Sequence, residues 1–368
     1  MRRDIAQKIW TYTVAIIMIG LAALYSASHE NVRVPHSIFY DQLLCTAVGL
    51  VFMYLLGKVD YRKFYDVAYV LFLLNIVLLV CVLASGKYIL GARRWMMIGG
   101  ISFQPSELTK LSLILVLGRY LSNRRPTLSF GFFSRSQILL KDLIVPFLIT
   151  AVPMVMIFKQ PDLGTAILLF GIFIVMVFVT NLEYRYIFGF LGLCLAALPF
   201  AWSILKPYQK DRLLVFLNPN IDPLGAGYTI IQSRIAVGSG QILGKGWLAG
   251  TQNQLSFLPE RHTDFIFSVI GEEWGILGTL LLVCLYFLLI INSLQIANQV
   301  KDKFGMLVTV GIVGILTLQV VINVGMVLGL FPIVGLTLPF VSYGRTSFMV
   351  FILMMGFLLN LSKRRTIF

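Results

Sequence analysis

The residues best suited to acid–base chemistry lie in the segment PERHTDFIFSVIGEEWG, which runs into a long apolar stretch. Asp264 stands at the start of that stretch, and Glu272 and Glu273 follow roughly two to three helical turns later. A carboxylate entering hydrocarbon is costly, so Asp264 is a candidate functional group. The alternative is an ordinary helix-start residue, satisfied by backbone amides and the helix dipole. At least one of the two glutamates should face protein, and both pairing and a direct role remain open for them.

A second cluster lies in GARRWMMIGGISFQPSELTKL, a basic segment that turns through a proline into a predicted helix. Arg93 and Arg94 are suited to gripping a phosphate, and Trp95 to the membrane interface. Glu107 and Lys110 are spaced to share one face of the helix. A charge pair inside a membrane loses its hydration, so this pair should line a cavity rather than face lipid.

Two shorter motifs carry further polar side chains at the same level. KQPDLGTA places Asp162 at a tight turn between two apolar stretches, and LPFVSYGRTS places Ser342, Tyr343 and Arg345 at the start of the last one. Asp41, within the second apolar stretch, has no evident partner in the sequence, and its role is open.

The composition predicts a helical membrane protein. The 368 residues are 58% hydrophobic and only 12% charged, whereas soluble domains carry about 25% charged residues. Apolar stretches of about 20 residues recur along the chain, each long enough to cross the hydrocarbon core as a helix. They do not alternate in polarity, which excludes a transmembrane β-barrel. Nothing indicates a soluble domain, so residues 1–368 are predicted to form a single membrane domain.

We predict an all-α bundle of about ten transmembrane helices with both termini in the cytoplasm. The basic N-terminal segment resembles a secretory signal, but its apolar core is long for one and a retained first helix is favoured. The segment 206–263 should form a large extracytoplasmic loop with a short surface helix over Ile230 to Val237. Gln319 and Asn323 share one face of the ninth helix and should bond across helices. The predicted helices span about 9–28, 37–57, 65–86, 105–122, 143–158, 163–180, 187–205, 264–292, 305–330 and 340–361.

The formal net charge of +14 would suggest nucleic acid in a soluble protein, but here the basic residues follow the membrane topology and no nucleic-acid partner is expected. Basic residues on the outer side exceed what the positive-inside rule predicts, and they favour an anionic ligand there, although long loops also tolerate charge. The outer set includes Arg93, Arg94, Lys159, Lys206, Lys210, Arg212, Arg234, Lys245, Arg261 and Arg345. The cytoplasmic set includes Lys58, Arg62, Lys63, Arg119, Arg124, Arg125, Arg135, Lys141, Arg185, Lys301, Lys303, Lys363, Arg364 and Arg365.

At these motifs the chain resembles the SEDS family of bacterial shape, elongation, division and sporulation proteins. The resemblance extends from about residue 91 to 347 through GARRWMMIGGISFQPSELTKL, QPDLGTA, the glycine-rich loop ending in PERHTDFIFSVIGEEWG, and NVGMVLGLFPIVGLTLPFVSYGRTS. The motif FLPERHTDFIFSVIGEEWG and the short terminal segments resemble an elongation member more than a division member. Arg345 is a departure, because many relatives carry glycine there.

The resemblance implies a peptidoglycan glycosyltransferase of the bacterial cytoplasmic membrane. Such an enzyme polymerises lipid II at the outer face, together with a class B penicillin-binding protein as transpeptidase and the rest of the elongation machinery. The essential aspartate of the family corresponds to Asp264, and its functional tryptophan, glutamate and lysine correspond to Trp95, Glu107 and Lys110.

The residue types fit that chemistry. A sugar on a lipid diphosphate has a good leaving group, so the enzyme needs a base, here Asp264, and cations for the departing diphosphate. Arg94, Lys110, Arg212 and Arg261 are the candidate cations. No metal ligands are assigned, although a divalent cation such as Mg²⁺ or Mn²⁺, held by acidic groups, is an option. Whether burial raises the pKa of the base or the arginines lower it is open at this stage.

Two functions of other classes compete with this interpretation. A lipid II flippase would place its ionisable groups near the middle of the bilayer and expose a cavity to each side in turn. A non-catalytic membrane scaffold for a penicillin-binding protein would need neither a base nor a cationic cavity. The clustering of carboxylates and arginines at the outer helix ends favours the enzyme.

Overall fold

A computed structural model describes residues 2–29, 37–89, 92–99, 101–123, 139–180, 182–223 and 225–363. Arg124, Arg125, Arg135, Arg364 and Arg365, assigned above to the cytoplasmic side, lie outside these residues.

All ten predicted helices are present within the described residues. They are α1 Arg2–Ser28, α2 Ser37–Leu56, α3 Arg62–Ser85, α4 Pro105–Ser122, α5 Val145–Lys159, α6 Leu163–Phe178, α7 Tyr184–Ile204, α11 Ile266–Gln299, α12 Lys303–Val327 and α13 Arg345–Lys363. A π-helical turn, Leu139–Ile144, leads into α5. The last helix begins at Arg345, because residues 338–343 form hydrogen-bonded turns instead of its first turn.

In the part of the chain that the structure describes, seven stretches are long and apolar enough to span a bilayer by length and composition: α1, α2, α3, the stretch Lys141–Lys159, α11, α12 and α13. The apolar helices α6 and α7 are shorter. In α4 three charged residues lower the hydropathy, yet nearly every side chain of this helix is buried. Charge is tolerated in α4 because the helix is surrounded by protein rather than lipid.

The bundle has a buried centre and a lipid-facing periphery. In an apolar 18-residue stretch of each helix, 83% of the residues of α13 and 67% of those of α12 are buried. In α2 and in α3 the share is 22%. The central helices approach closely where glycine removes a side chain: a Cβ at Gly311 of α12 would lie 2.7 Å from Ile114 of α4, and one at Gly171 of α6 would lie 2.6 Å from Leu318 of α12. An outer layer rich in exposed Leu, Val and Phe is what a hydrocarbon solvent requires.

The two long polar connections contain more regular structure than the sequence predicted. The basic segment before α4 forms a three-stranded antiparallel sheet in the order β1-β2-β3, with β1 at Lys87–Ile89, β2 at Ala92–Ile98 and β3 at Ile101–Phe103. This sheet is an exception to the predicted all-α fold. Segment 206–263 contains α8 Pro207–Leu217, a 3₁₀ turn Pro219–Ile221, α9 Ala226–Ser239 and α10 Thr251–Gln254. The predicted surface helix over Ile230 to Val237 is therefore confirmed within α9.

Candidate active site

Asp264 lies just before the start of α11, in a short segment that is fixed from two sides. The side-chain amide of Asn323, on α12, donates to the carbonyl oxygens of Asp264 at 2.9 Å and Leu336 at 2.6 Å. The Ser342 hydroxyl donates to the carbonyl of Thr263 at 2.5 Å. These contacts hold the backbone of the segment, so the carboxylate is presented from a rigid support.

The Asp264 side chain faces a cavity of about 380 Å³, within the size range of small-molecule sites. Seven parts of the chain form its wall: the sheet before α4, the start of α4, the start of α6, α8, the segment before α11, the connection between α12 and α13, and the first turn of α13. The lining residues are Arg94, Trp95, Ser102, Gln104, Glu107, Asp162, Thr165, Arg212, Glu260, His262, Thr263, Asp264, Val334, Gly335, Leu336, Thr337, Tyr343, Gly344, Arg345, Thr346 and Ser347.

Two arginines bring positive charge to this wall beside Asp264. Arg94, on β2, lies 3.9 Å from the Asp162 carboxylate and donates to the carbonyl oxygens of Gln160 at 3.2 Å and of Pro161. Arg212, on α8, is exposed and reaches the carbonyl of Ile333 at 3.4 Å. Arg212 donates to a neutral carbonyl, so its charge remains available to an anion, whereas the Asp162 carboxylate offsets part of the Arg94 charge.

Asp162 serves mainly to shape the wall. Its carboxylate caps α6 by accepting from the amide of Thr165 at 3.2 Å and from the Thr165 hydroxyl at 3.0 Å. It also accepts from the Gln104 side chain at 3.4 Å. A helix cap paired with Arg94 therefore ties the turn before α6 to the sheet.

The pKa of the Asp264 carboxyl is raised from 3.8 to about 6, mainly because burial disfavours the charged form. The nearby Glu260 carboxylate is the second cause of this rise. The Arg212 and Arg94 charges act in the opposite direction, and a smaller effect from Asp162 adds to the rise in pKa. The two opposing effects weighed from the sequence are thus both present, and desolvation is the larger. A carboxyl with this pKa is ionised at neutral pH yet more basic than an ordinary aspartate.

The predicted Glu107–Lys110 pair forms at the inner end of the cavity. The Lys110 ammonium lies 2.8 and 2.9 Å from the two carboxylate oxygens of Glu107 and donates to the Gln319 side chain at 3.0 Å. Gln319 in turn donates to the carbonyl of Thr337 at 2.8 Å. Lys110 is completely buried behind the wall, so it acts on the cavity through Glu107, which lines it.

The structure brings eight of the eleven predicted site residues into one wall: Arg94, Trp95, Glu107, Asp162, Arg212, Asp264, Tyr343 and Arg345. Ser342 lies beneath it and holds the Asp264 segment. Arg261, predicted as a diphosphate ligand, is instead buried, and its Nε donates to the carbonyl of Ala27 at the end of α1 at 3.2 Å. Its side chain points toward α1 because its neighbour His262 occupies the cavity wall.

The structure shows the partner of Asp41 and the contacts of Glu272 and Glu273, which the sequence left open. Asp41 is ion-paired with Arg345. Glu272 accepts from Lys245 at 2.8 Å and from the amide of Gln252 at 3.0 Å, and Glu273 accepts from the Asn253 side chain at 3.3 Å. Both glutamates hold the loop around α10, and neither lines the cavity.

Sequence reasoning missed several wall residues, notably Glu260, His262 and Gln104. Glu260 has a φ of +49°, unusual for a residue with a side chain, and its carboxylate acts on the pKa of Asp264. Glu260 and His262 both lie inside the motif PERHTDFIFSVIGEEWG. Helical or strand periodicity gives no information about the irregular backbone that brings them into the wall.

The acidic wall residues do not form an evident metal site. Asp162 is committed to the cap and to Arg94, and Glu107 is committed to Lys110. Over the described ranges, with their gaps, no group of three or more His, Cys, Asp or Glu side chains is placed to hold a metal ion.

Comparison with known proteins identifies the family. The model of the FtsW, RodA and SpoVE family, described as cell cycle proteins, matches residues 6–367. The chain is 38% identical to the peptidoglycan glycosyltransferase MrdB of Escherichia coli K12 over 96% of this chain and 92% of that protein. It is 31% identical to the peptidoglycan glycosyltransferase RodA of Treponema pallidum over 96% of both chains.

Solved structures agree with the sequence comparison. A chain from a peptidoglycan synthase complex, described for its coordination of polymerization and crosslinking, superposes with a TM-score of 0.80 at 32% identity and 96% coverage of both chains. The crystal structure of the rod shape determining protein RodA of Thermus thermophilus superposes with a TM-score of 0.71 at 30% identity, covering 97% of this chain and 96% of that one. This chain therefore belongs to the SEDS family, the group that includes FtsW, RodA and SpoVE.

Proposed function

We propose that this protein is a peptidoglycan glycosyltransferase of the elongation branch, which polymerises lipid II at the outer face of the bacterial cytoplasmic membrane. Lipid II is a disaccharide peptide carried on a polyprenyl diphosphate. The observation that carries the proposal is a single aspartate of raised pKa in a cavity wall that also presents Arg94 and Arg212. One base and a pair of cations are what displacement of a diphosphate requires.

In the proposed reaction Asp264 accepts the proton of the acceptor sugar hydroxyl. The acceptor oxygen forms a bond to the anomeric carbon of the donor, and the bond from that carbon to the diphosphate oxygen breaks. The leaving polyprenyl diphosphate keeps the electron pair, and Arg94 and Arg212 stabilise its charge. A single direct displacement inverts the configuration at the anomeric carbon.

The remaining wall residues position these groups. Glu107, with Lys110 and Gln319 behind it, forms a polar network whose members are paired, and such a network fixes side-chain geometry in a low-dielectric interior. Trp95 lines the cavity on the same strand as Arg94. An aromatic ring there is suited to a sugar face or to the edge of the lipid layer.

A divalent cation, if the reaction uses one, enters in this proposal as the counter-ion of the substrate diphosphate. Of the acidic wall residues, Asp162 is committed to Arg94 and a helix cap and Glu107 to Lys110, so these two do not offer ready ligands. No step of the proposed reaction depends on such an ion.

The proposed topology has ten membrane crossings, both termini in the cytoplasm and segment 206–263 outside. The cavity then opens at the outer end of the bundle, where a flipped lipid-linked sugar is available. We also propose a class B penicillin-binding protein as partner, because the superposed synthase complex couples polymerization to crosslinking. Other parts of the elongation machinery and membrane lipids complete the expected set of partners.

The proposal is tested with purified protein and purified lipid II, in the presence and absence of the transpeptidase. Asp264→Asn should lower glycan polymerisation by at least about a hundredfold, the usual contribution of a general base, while lipid II binding and thermal stability stay close to wild type. Asp211→Asn, an exposed aspartate of the same loop, is the matched control and should polymerise normally. Full polymerisation by Asp264→Asn would overturn the proposal. Lipid II movement across vesicles without any polymer would indicate a flippase, and polymerisation by the partner alone would indicate a scaffold.

A further inference from the structure

A second cationic group lies in the cavity wall, away from Arg94 and Arg212. Arg345 is the first residue of α13, and its guanidinium donates to the carboxylate of Asp41 on α2. Arg345 and the neighbouring Tyr343 both line the cavity, as do Thr346 and Ser347 in the first turn of α13. The amino-terminal end of a long helix adds positive potential to the same part of the wall.

The ion pair between Arg345 and Asp41 contributes little to the stability of the fold. The Arg345 and Asp41 side chains are 27% and 36% exposed, and pairs with this exposure contribute little to stability because solvent screens them. Helices α2 and α13 already pack closely, since a Cβ added at Gly49 of α2 would lie 3.4 Å from the side chains of Phe348, Met349 and Ile352. An arginine in the wall of a polar cavity is better explained by a ligand than by packing.

The two cationic groups lie beside different titrating side chains of the wall. Arg94 and Arg212 lower the pKa of Asp264, which places their charge at the proposed base. Arg345 instead lowers the pKa of Tyr343, which burial otherwise raises. The groups also sit on different supports, since Arg94 and Arg212 bond to backbone around residues 160 and 333, whereas Arg345 is held by α2.

A polymerase of lipid-linked sugars has to hold two substrates at once, and at initiation both carry a diphosphate. Two diphosphates in one cavity repel each other, so each needs its own cations. We propose that Arg345, with Tyr343 and the first turn of α13, forms a second diphosphate subsite, separate from the one at Arg94 and Arg212. This inference rests on the proposed function, since it assigns a role within the same cavity.

In this arrangement the Asp41 carboxylate takes the place of the diphosphate when none is bound. Its carboxylate occupies the Arg345 guanidinium while no diphosphate is bound, and an arriving diphosphate competes for the same donors. The two members of the pair should therefore have opposite effects on ligand binding. A purely structural ion pair would give effects of the same sign, because removing either partner breaks the same contact.

The test is equilibrium binding of a fluorescent polyprenyl diphosphate to the full-length protein in nanodiscs, which needs no turnover. Arg345→Gly should weaken binding about tenfold and Arg345→Lys by less, because lysine keeps the charge without the planar fork. Asp41→Asn should tighten binding by about threefold, since it removes the competing carboxylate. Arg185→Gln removes an ion pair with Glu183 at 2.5 Å on α7, outside the cavity wall, and should leave binding unchanged.

Weaker binding in both Arg345→Gly and Asp41→Asn would overturn the subsite in favour of a structural pair, and unchanged binding in both would overturn it outright. Inorganic pyrophosphate as competitor distinguishes the source of recognition. An inhibition constant of pyrophosphate that rises in Arg345→Gly shows that this subsite recognises the diphosphate alone, and no competition in wild type shows that it needs the lipid-linked form. Melting temperatures identify any variant that fails to fold, and Arg345→Lys keeps the test decisive in that case. Polymerisation measured in parallel separates the two proposals, because the proposed function fails if wild-type protein makes no glycan or if Asp264→Asn polymerises fully, whatever the binding test shows.

Discussion

At the residue scale, the properties of Asp264 come from its surroundings more than from its position at a helix start. Desolvation and Glu260 raise its pKa, while Arg212 and Arg94 lower it, and the net result is a pKa of about 6. The arginines therefore do two things in the proposed reaction. They keep the base ionised at neutral pH, and they present positive charge to the leaving group.

This balance predicts the pH dependence of kcat/KM for polymerisation. Asp264 can accept a proton only when it is ionised, so kcat/KM should fall about tenfold per pH unit below a midpoint near 6. Glu260→Gln removes a charge that raises the pKa, so it should move the midpoint to lower pH. Arg212→Gln removes a charge that lowers the pKa, so it should move the midpoint to higher pH. Steady-state rates between pH 4.5 and 8 would measure both shifts, and shifts of the same sign would contradict this electrostatic account.

At the element scale, α11 is two helical pieces joined at a break. Gly275 has φ +64° and ψ −159°, so the helix that follows Asp264 ends there and a new direction begins. Backbone groups freed by the break are paired with the loop after α9: the backbone amide of Lys245 donates to the carbonyl of Glu272 at 3.0 Å, and the amide of Ile276 donates to the carbonyl of Gln241 at 2.9 Å. Unpaired backbone in a membrane is costly, so this loop completes the helix that follows the base.

Glycine is required at this break for steric as well as conformational reasons. A Cβ at Gly275 would lie 2.4 Å from the amide nitrogen of Gly244 and 2.6 Å from the carbonyl oxygen of Ile242. Gly275→Ala should therefore destabilise the protein by more than about 1 kcal/mol and displace the loop. Thermal unfolding in detergent would show a lower Tm together with reduced polymerisation. Gly238→Ala, at a helical site with no atoms within 4 Å of the added carbon, should keep the wild-type Tm, and equal stability of the two variants would rule out this account of the break.

At the scale of the whole molecule, the arrangement of helices places the polar chemistry at one end of a bundle whose sides face lipid. The central helices α4 and α12 carry the buried polar network, and α12 carries Asn323, which holds the Asp264 segment. The peripheral α2 and α3 expose mostly apolar side chains. One membrane domain can thus combine a hydrocarbon exterior with a charged cavity, because the charged helix α4 is enclosed by protein.

The proposed topology predicts which side of the membrane each connection occupies. Lys210→Cys in α8 should react with a membrane-impermeant thiol reagent in intact spheroplasts, because segment 206–263 is outside. Lys301→Cys, between α11 and α12, should react only after permeabilisation, because basic connections of this kind stay in the cytoplasm. Gel-shift labelling in a background in which the four native cysteines are replaced by serine would measure both. Labelling of Lys301→Cys in intact spheroplasts would contradict the ten-crossing arrangement.

The sequence by itself determined where the helices lie and singled out eight residues of the cavity wall. Apolar stretches predicted the helices, because hydrocarbon allows backbone to cross only with its hydrogen bonds satisfied internally. The cost of charge near hydrocarbon marked Asp264, Glu107 and Lys110, and helical spacing alone predicted that Glu107 and Lys110 pair. These are local effects, so they can be recognised along one dimension.

Only the tertiary structure decided the contacts that depend on distant parts of the chain. It paired Asp41 with Arg345, turned Arg261 toward α1, and assigned Glu272 and Glu273 to the support of a loop. It also decided that burial outweighs the arginines at Asp264. Burial and Coulomb interactions are sums over all neighbours in space, and a sequence gives the order of those neighbours but not their distances.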